Sequence, residues 1–178
     1  IGAIHRIAAR MDGHFTLVAG ALSSEPGRAQ ASAAELGVRG YDDFGAMARD
    51  EAAREDGIEA VAIVTPNHMH AAPAAAFLNA GIHVICDKPL AATRGQAAEI
   101  EAAAKSGTAR FFLTHNYSAL PMIREARAMV AEGAIGDLRL VQAEYLQGWL
   151  SGPARGKQAE WRTDPVRAGA GALGDIGT

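Results

Sequence analysis

Short apolar runs alternate with longer amphipathic stretches along this chain, and that rhythm predicts its elements in order. Ile1, Ile4, Ala8 and Met11 recur at helical spacing, with Gly13 placed to end the helix. Residues 15–21 read as a buried strand. They are followed by Ser23 or Ser24 as N-cap and by Pro26 near the first turn of a helix reaching about Leu36. Asp42 or Asp43 caps another helix through Arg54, and residues 60–64 form the continuous apolar run that a strand covered on both faces requires. Residues 68–79 predict an Ala-rich helix closed by Gly81, and residues 82–86 the next strand. Thr93 and Gln96 have capping-box spacing, which starts a helix to about Lys105, and residues 110–114 read as a further strand.

Strands alternating with helices imply right-handed crossovers and a mostly parallel sheet with helices on both faces. The expected fold class is therefore α/β, a doubly wound sheet of the nucleotide-binding type. After Tyr117 the rhythm changes: residues 119–132 predict a helix ended by Gly133, and residues 138–146 show the mixed alternation of an antiparallel sheet with one wet face. Residues 148–177, rich in Gly and carrying Pro153 and Pro165, read as a long loop. Two units are expected, 1–117 and 118–178. A doubly wound domain normally opens on a strand and a glycine-rich turn, so the first unit reads as lacking both. The second is too small to close a sheet of its own.

Composition narrows the partners. Hydrophobic residues make up 49% and charged residues 21%, ordinary values for a folded domain. A net charge of -3 offers no basic footprint for nucleic acid or an anionic membrane, which favours a small-molecule partner. Cys86 is the single cysteine, so no intrachain disulfide forms and a reducing, cytoplasmic setting is expected. Residues 60–86 carry no Asp, Glu, Lys or Arg, yet Pro66, Pro73, Asn79 and Gly81 divide them into strand, turn, helix and strand rather than a membrane span. Residues 1–10 lack the features of a signal peptide.

The strongest chemical signal is Lys88, between Asp87 and Pro89 at the end of a buried strand, where open α/β sheets hold their ligands. A lysine there can give or take a proton, or polarise a hydroxyl or carbonyl oxygen. Thr65, Pro66, Asn67, His68 and His70 follow another strand end, and are either a polar turn with a helix start or a loop touching a cofactor's ribose or nicotinamide. His68 and His70 lack metal-binding spacing, and no metal is expected. Ser23, Ser24 and Arg28 stand where an adenosine ribose would lie. Hydroxyls and a cation in place of an acid favour NADP over NAD, unless the serines only cap a helix. Trp161 and Arg162 are loop packing or a flat stacking surface with a cation. His115, Asn116 and Tyr117 either face the cofactor or pack at the junction of the two units.

Together these residues resemble the glucose-fructose oxidoreductase and inositol dehydrogenase family, Gfo/Idh/MocA. The resemblance is carried by residues 1–10 as the helix after a glycine loop, by Thr65 to His70 as a Thr-Pro-Asn loop with trailing His, and by Asp87, Lys88 and Pro89 for the usual Glu-Lys-Pro. His115 to Tyr117, and Trp161 and Arg162 leading into residues 171–178, complete it. It implies a Rossmann domain followed by an α/β domain on an open antiparallel sheet, an NAD(P) cofactor, a sugar, polyol or related carbonyl substrate, and a homo-oligomer. By the same resemblance Lys88 is the catalytic lysine, Asp87 keeps a charge near it at the cofactor, and Asp175 is the acid of an Asp-x-x-x-His pair. The histidine of that pair would come just after Thr178. A non-catalytic cofactor-binding sensor of the same fold, or a transient hydride step serving elimination, are the alternatives.

Overall fold

The computed structural model describes residues 2–148, 151–153 and 156–177. The first half alternates helix and strand: α1 (Gly2–Met11), β1 (Ala19–Gly20), α2 (Pro26–Leu36), β2 (Arg39–Gly40), α3 (Phe44–Ala52), β3 (Ala60–Ile63), α4 (Ala71–Asn79), β4 (His83–Asp87), α5 (Arg94–Ser106) and β5 (Phe111–Thr114). All pairing is parallel. β1 lies beside β2, and β3, β4 and β5 form a second sheet in that order.

Local chemistry explains most boundaries. Asp43, not Asp42, caps α3 by accepting from Ala46 N at 2.8 Å, and Thr93 caps α5 by accepting from Gln96 N at 3.2 Å. The cap of α2 is Glu25 rather than a serine. Ser23 Oγ instead accepts from Glu25 N at 3.1 Å, tightening the turn before the helix. The expected strand over 15–21 shrinks to Ala19–Gly20 because a strand exists only where a neighbour completes its ladder. Arg39 N reaches Val18 O and Tyr41 N reaches Gly20 O, whereas Phe15 lies exposed.

The β3–β4–β5 register sorts the sheet into two faces. Val84 and Cys86 point to the face where Phe77, Leu78 and Ile100 from α4 and α5 complete the core. Small residues, Ala71, Ala74 and Ala103, are buried with them. Each large side chain buried here contributes about 1.5–3 kcal/mol. The opposite face carries the aligned row Ala62, Ile85 and Phe112, of which Ala62 and Phe112 are exposed. Cover on both faces, expected from the apolar run, is thus incomplete. The amino half of α1 meets the carboxyl edge of this sheet, where Gly2 lies beside Val64 and His5 approaches Asp87.

The second half departs further from expectation. α6 (Pro121–Ala131) follows a 3-10 turn at Tyr117–Ala119, and Gly133 ends it at φ +73°. The strand expected over 138–146 does not form: among the described residues it finds no partner backbone, and Leu140, Val141 and Leu146 are exposed. The loop expected over 148–177 instead contains α7 (Lys157–Arg162), α8 (Pro165–Ala168) and α9 (Gly171–Ile176). Asp164 accepts from Val166 N at 2.9 Å, with Pro165 in the first turn of α8. That pairing of cap and proline was present in the sequence. No described helix is long and apolar enough to cross a membrane.

Candidate active site

Parallel pairing places the carboxyl ends of β3, β4 and β5 on one edge, so the segments at Thr65, Lys88 and His115 emerge together. Lys88 follows β4 directly and is joined to Pro89 by a cis peptide bond. Its ammonium donates to the Asp175 carboxylate and, at 2.8 Å, to the Asp175 backbone carbonyl. The two side chains are only 19% and 24% exposed, so the pair is sheltered from bulk water but open on one side. Arg162 Nε stands 3.9 Å from the other Asp175 oxygen, and its guanidinium lies 4.3 Å from the Trp161 ring centre. The carboxylate is therefore flanked by two cations.

A cavity of about 230 Å³ opens beside Asp175, lined by Asn67, Tyr145, Gln147, Trp161, Arg162 and Asp175 among others. Its walls are mostly apolar, Ala168, Ala172 and Ile176 among them, and the ring, amides, phenol and charged groups are set into that surface, a mixture that suits a small molecule held by a few polar contacts. Tyr145 is held there by Tyr117, the ring centres 5.5 Å apart and the hydroxyls 3.2 Å apart. The sequence reading missed Tyr145 and Gln147, which carry no local motif.

Backbone seams bring α8 and α9 onto the first half. Asn67, 3% exposed, donates from Nδ2 to Ala168 O at 3.0 Å, and Gly174 lies against Pro89. At Gly169, φ is +67° and an added Cβ would stand 2.4 Å from Ala92 O. Only glycine suits that conformation and that approach. Gly169→Ala is therefore expected to cost on the order of 1–3 kcal/mol from backbone strain alone and to lower turnover by displacing Asp175. A thermal melt and a rate assay on the full-length protein check this. Unchanged values would show that the seam yields without consequence.

The remaining expected site residues have distinct placements. Asp87 turns away from Lys88, accepting from Thr114 Oγ1 at 2.9 Å and standing 3.7 Å from His5 Nε2. The carboxylate partner of Lys88 is thus Asp175 and not its neighbour. Thr65 Oγ1 donates to Met69 O at 3.0 Å, and Pro66 starts the 3-10 turn Asn67–Met69. His70 is fully buried with both ring nitrogens against carbonyl oxygens, which leaves no surface for the ligand contact expected of it. Asn116 is exposed after β5, while Ser24 and Arg28 are exposed after β1, on the other sheet. Burial, with the neighbouring Asp87 charge, pushes the Cys86 thiol up to about 12, so it packs as a small hydrophobe. Among the described residues, no group of three or more His, Cys, Asp or Glu stands ready to hold a metal ion.

The edge also suits a dinucleotide. The amino end of α1 lies beside Val64, has glycine at its start and carries no acidic residue in its first turn, a setting for a pyrophosphate. Parallel strands, a helix amino end at their carboxyl edge and a sheltered lysine-carboxylate pair beside it define a dinucleotide-binding type of α/β fold.

Residues 1–115 match the oxidoreductase family with NAD-binding Rossmann fold, and residues 123–178 match the GFO/IDH/MocA C-terminal domain. The chain belongs to the Gfo/Idh/MocA oxidoreductase family. It is 39% identical to the uncharacterized oxidoreductase YfiI of Bacillus subtilis, covering 100% of this chain and 47% of that protein. It is 40% identical to the levoglucosan dehydrogenase of Pseudarthrobacter phenanthrenivorans, over 68% of this chain and 30% of that enzyme. The crystal structure of an inositol dehydrogenase homolog from Azotobacter vinelandii complexed with NAD+ superposes with a TM-score of 0.92 at 40% identity, covering 99% of this chain and 47% of that one. The chain therefore spans about half the length, or less, of the relatives it matches.

Proposed function

We propose that the protein of which this chain forms part is a nicotinamide-dependent oxidoreductase acting on a CH–OH group of a sugar, polyol or related carbonyl compound. The observation that carries this reading is the Lys88–Asp175 pair, two residues 87 positions apart brought together at the carboxyl edge of the sheet, with Asp175 in the wall of a cavity. The relatives support the substrate class: levoglucosan dehydrogenase is named for an anhydrosugar, and the inositol dehydrogenase homolog has been solved with NADH and myo-inositol.

When bound, the nicotinamide dinucleotide supplies the carbon that exchanges hydride with substrate. The first turn of α1 and the loop from Thr65 to Asn67 would hold it, with Ser23, Ser24 and Arg28 toward its adenosine end. Lys88 Nζ handles the proton of the substrate hydroxyl and neutralises charge as it develops on that oxygen. Asp175 holds the ammonium in place, and Trp161, Arg162 and Tyr145 orient the substrate in the cavity. We further propose the division into a nucleotide-binding unit, 1–117, and the start of a substrate unit, 118–178, supported by family matches that end at 115 and resume at 123.

The test is a cofactor titration of the full-length protein followed by a panel of inositols, anhydrosugars and linear polyols, read at the nicotinamide absorbance band. Net reduction with at least one of them is expected. Cofactor binding with no turnover on the whole panel would favour the sensor reading instead.

The preference for NADP expected from the missing acid at Ser23 finds no support in the relatives, whose structures were solved with NAD+ and NADH. NADH is accordingly expected to bind at least as tightly as NADPH in a fluorescence titration. A Kd for NADPH lower by about tenfold, or ~1.4 kcal/mol, would restore the original preference.

A further inference from the structure

We propose that His70 is the positioning residue of the lysine site: a buried strut between the loop after β3 and the loop after β4 that fixes Lys88 through the carbonyl of Pro89. The inference rests on the reading of Lys88 as the proton-handling group. His70 stands at the amino end of α4 and is 0% exposed. Its Nδ1 lies 2.9 Å from Pro89 O and its Nε2 lies 2.9 Å from Thr65 O. Both partners can only accept. A neutral imidazole donates to one of them at a time, and a ring bearing two protons donates to both. No ring nitrogen remains for any other group.

The position of the strut gives it leverage. The carbonyl it holds belongs to the residue next to Lys88, and Gly174 of α9, beside Asp175, packs on the ring of the same Pro89. Asn67, three residues before His70, ties α8 down through Ala168 O. The His70 ring therefore touches both loops against which the Asp175 segment docks. A second link joins the same two loops further along: Gln96 accepts from Ala92 N at 3.1 Å and donates to His68 O at 3.1 Å. With His70 removed, Gln96 still secures the Ala92 end. The freedom gained falls on residues 88–90, at the ammonium.

In the full-length enzyme, His70→Phe keeps a ring in the space and donates nothing, whereas His70→Gln keeps an amide donor. His70→Phe is expected to lower kcat by about 10²-fold, the effect of a misplacement near 1 Å, with the cofactor KM changed only a few-fold. Amide hydrogen exchange at Lys88 and Leu90 should quicken by about tenfold or more, with Ala92, β4 and α4 unchanged. His70→Gln should recover a substantial part of both. If His70→Phe does not fold, His70→Asn, too short to span both carbonyls, carries the same expectation. Wild-type kcat in the Phe or Asn variant, or exchange quickened equally throughout α4 and β4, overturns the strut and leaves an ordinary core histidine. Lys88→Ala separates the two ideas. If Lys88→Ala is fully active, the reading of Lys88 fails. If it is inactive while the His70 variants are normal, the strut alone fails.

Discussion

Lys88→Ala in the full-length protein is expected to lower kcat by about 10²–10⁴-fold, the range for removing a positioned acid-base group, while leaving the cofactor Kd within a few-fold of wild type. The asymmetry follows from geometry. The ammonium is directed at Asp175, by its carboxylate and its backbone carbonyl, rather than at the α1 amino end where a pyrophosphate would lie. Lys88→Arg distinguishes its two possible contributions, because a guanidinium keeps the charge but does not give up its proton in the working range. Arg should therefore restore little if proton transfer is the limiting need, and a good part if charge alone is. Asp175→Asn should cost less than Lys88→Ala, since the backbone carbonyl at 2.8 Å still holds the lysine.

The pair should also act as one unit. Residues in direct contact couple, so the double variant Lys88→Ala, Asp175→Ala is expected to be no slower than Lys88→Ala alone. Steady-state rates on the substrate found in the panel supply the cycle. Multiplying losses in the double variant would mean that the two side chains serve different steps, and the paired role assigned to them would have to be dropped.

How much of this was legible before the structure depended on whether the cause was local. The apolar run at 60–63, the Thr93–Gln96 spacing and the glycine after α4 each act within a few residues, and β3, α4, β4, α5 and β5 form where those signals put them. Residues 15–21 and 138–146 have equally apolar patterns but become strand only where another backbone answers them. That information lies elsewhere in the chain. The same distinction divides the site. Lys88 was recognisable from its strand end alone, whereas Asp175 sat in a glycine-rich stretch and gained meaning only from the family resemblance. Its contact with Lys88 requires Gly169 to pass within reach of the Ala92 carbonyl and Gly174 to lie against Pro89, and neither approach has any periodicity to reveal it. His70 looked like a ligand residue because it closes a polar loop. Burial, invisible in the sequence, turned it inward.

The largest expected effect on stability lies away from the site, at Glu51. This carboxylate is 1% exposed and accepts four hydrogen bonds: two from Arg39 at 2.7 and 2.6 Å, one from Tyr41 at 2.8 Å and one from Ile58 N at 3.2 Å. It thereby joins α3 to β2 and to the turn before β3. Glu51→Ala is expected to destabilise the fold by about 3–5 kcal/mol, because it leaves Arg39, the Tyr41 hydroxyl and the Ile58 amide without their acceptor. Asp56, 3.2 Å from the other arm of Arg39, keeps part of that charge compensated and argues for the lower end. At ~2–4 °C per kcal/mol for a chain of this size, the melting temperature should fall by roughly 6–12 °C. Acid should expose the same group. The Arg39 guanidinium, aided by the Tyr41 hydroxyl and the Ile58 amide, holds the Glu51 carboxyl below its ordinary value of 4.5, against the opposing effect of burial. The unfolded chain then binds the proton first as pH falls, so this contribution is complete above about pH 4.5 and drains away as pH drops through the lower folded value. Glu51→Gln, neutral at every pH, should melt well below wild type at pH 7 yet lose less between pH 5 and pH 3. Parallel melting curves for the two proteins across that window would show that the acid sensitivity resides in other carboxylates. A melting temperature for Glu51→Ala within about 2 °C of wild type would show that the network is dispensable.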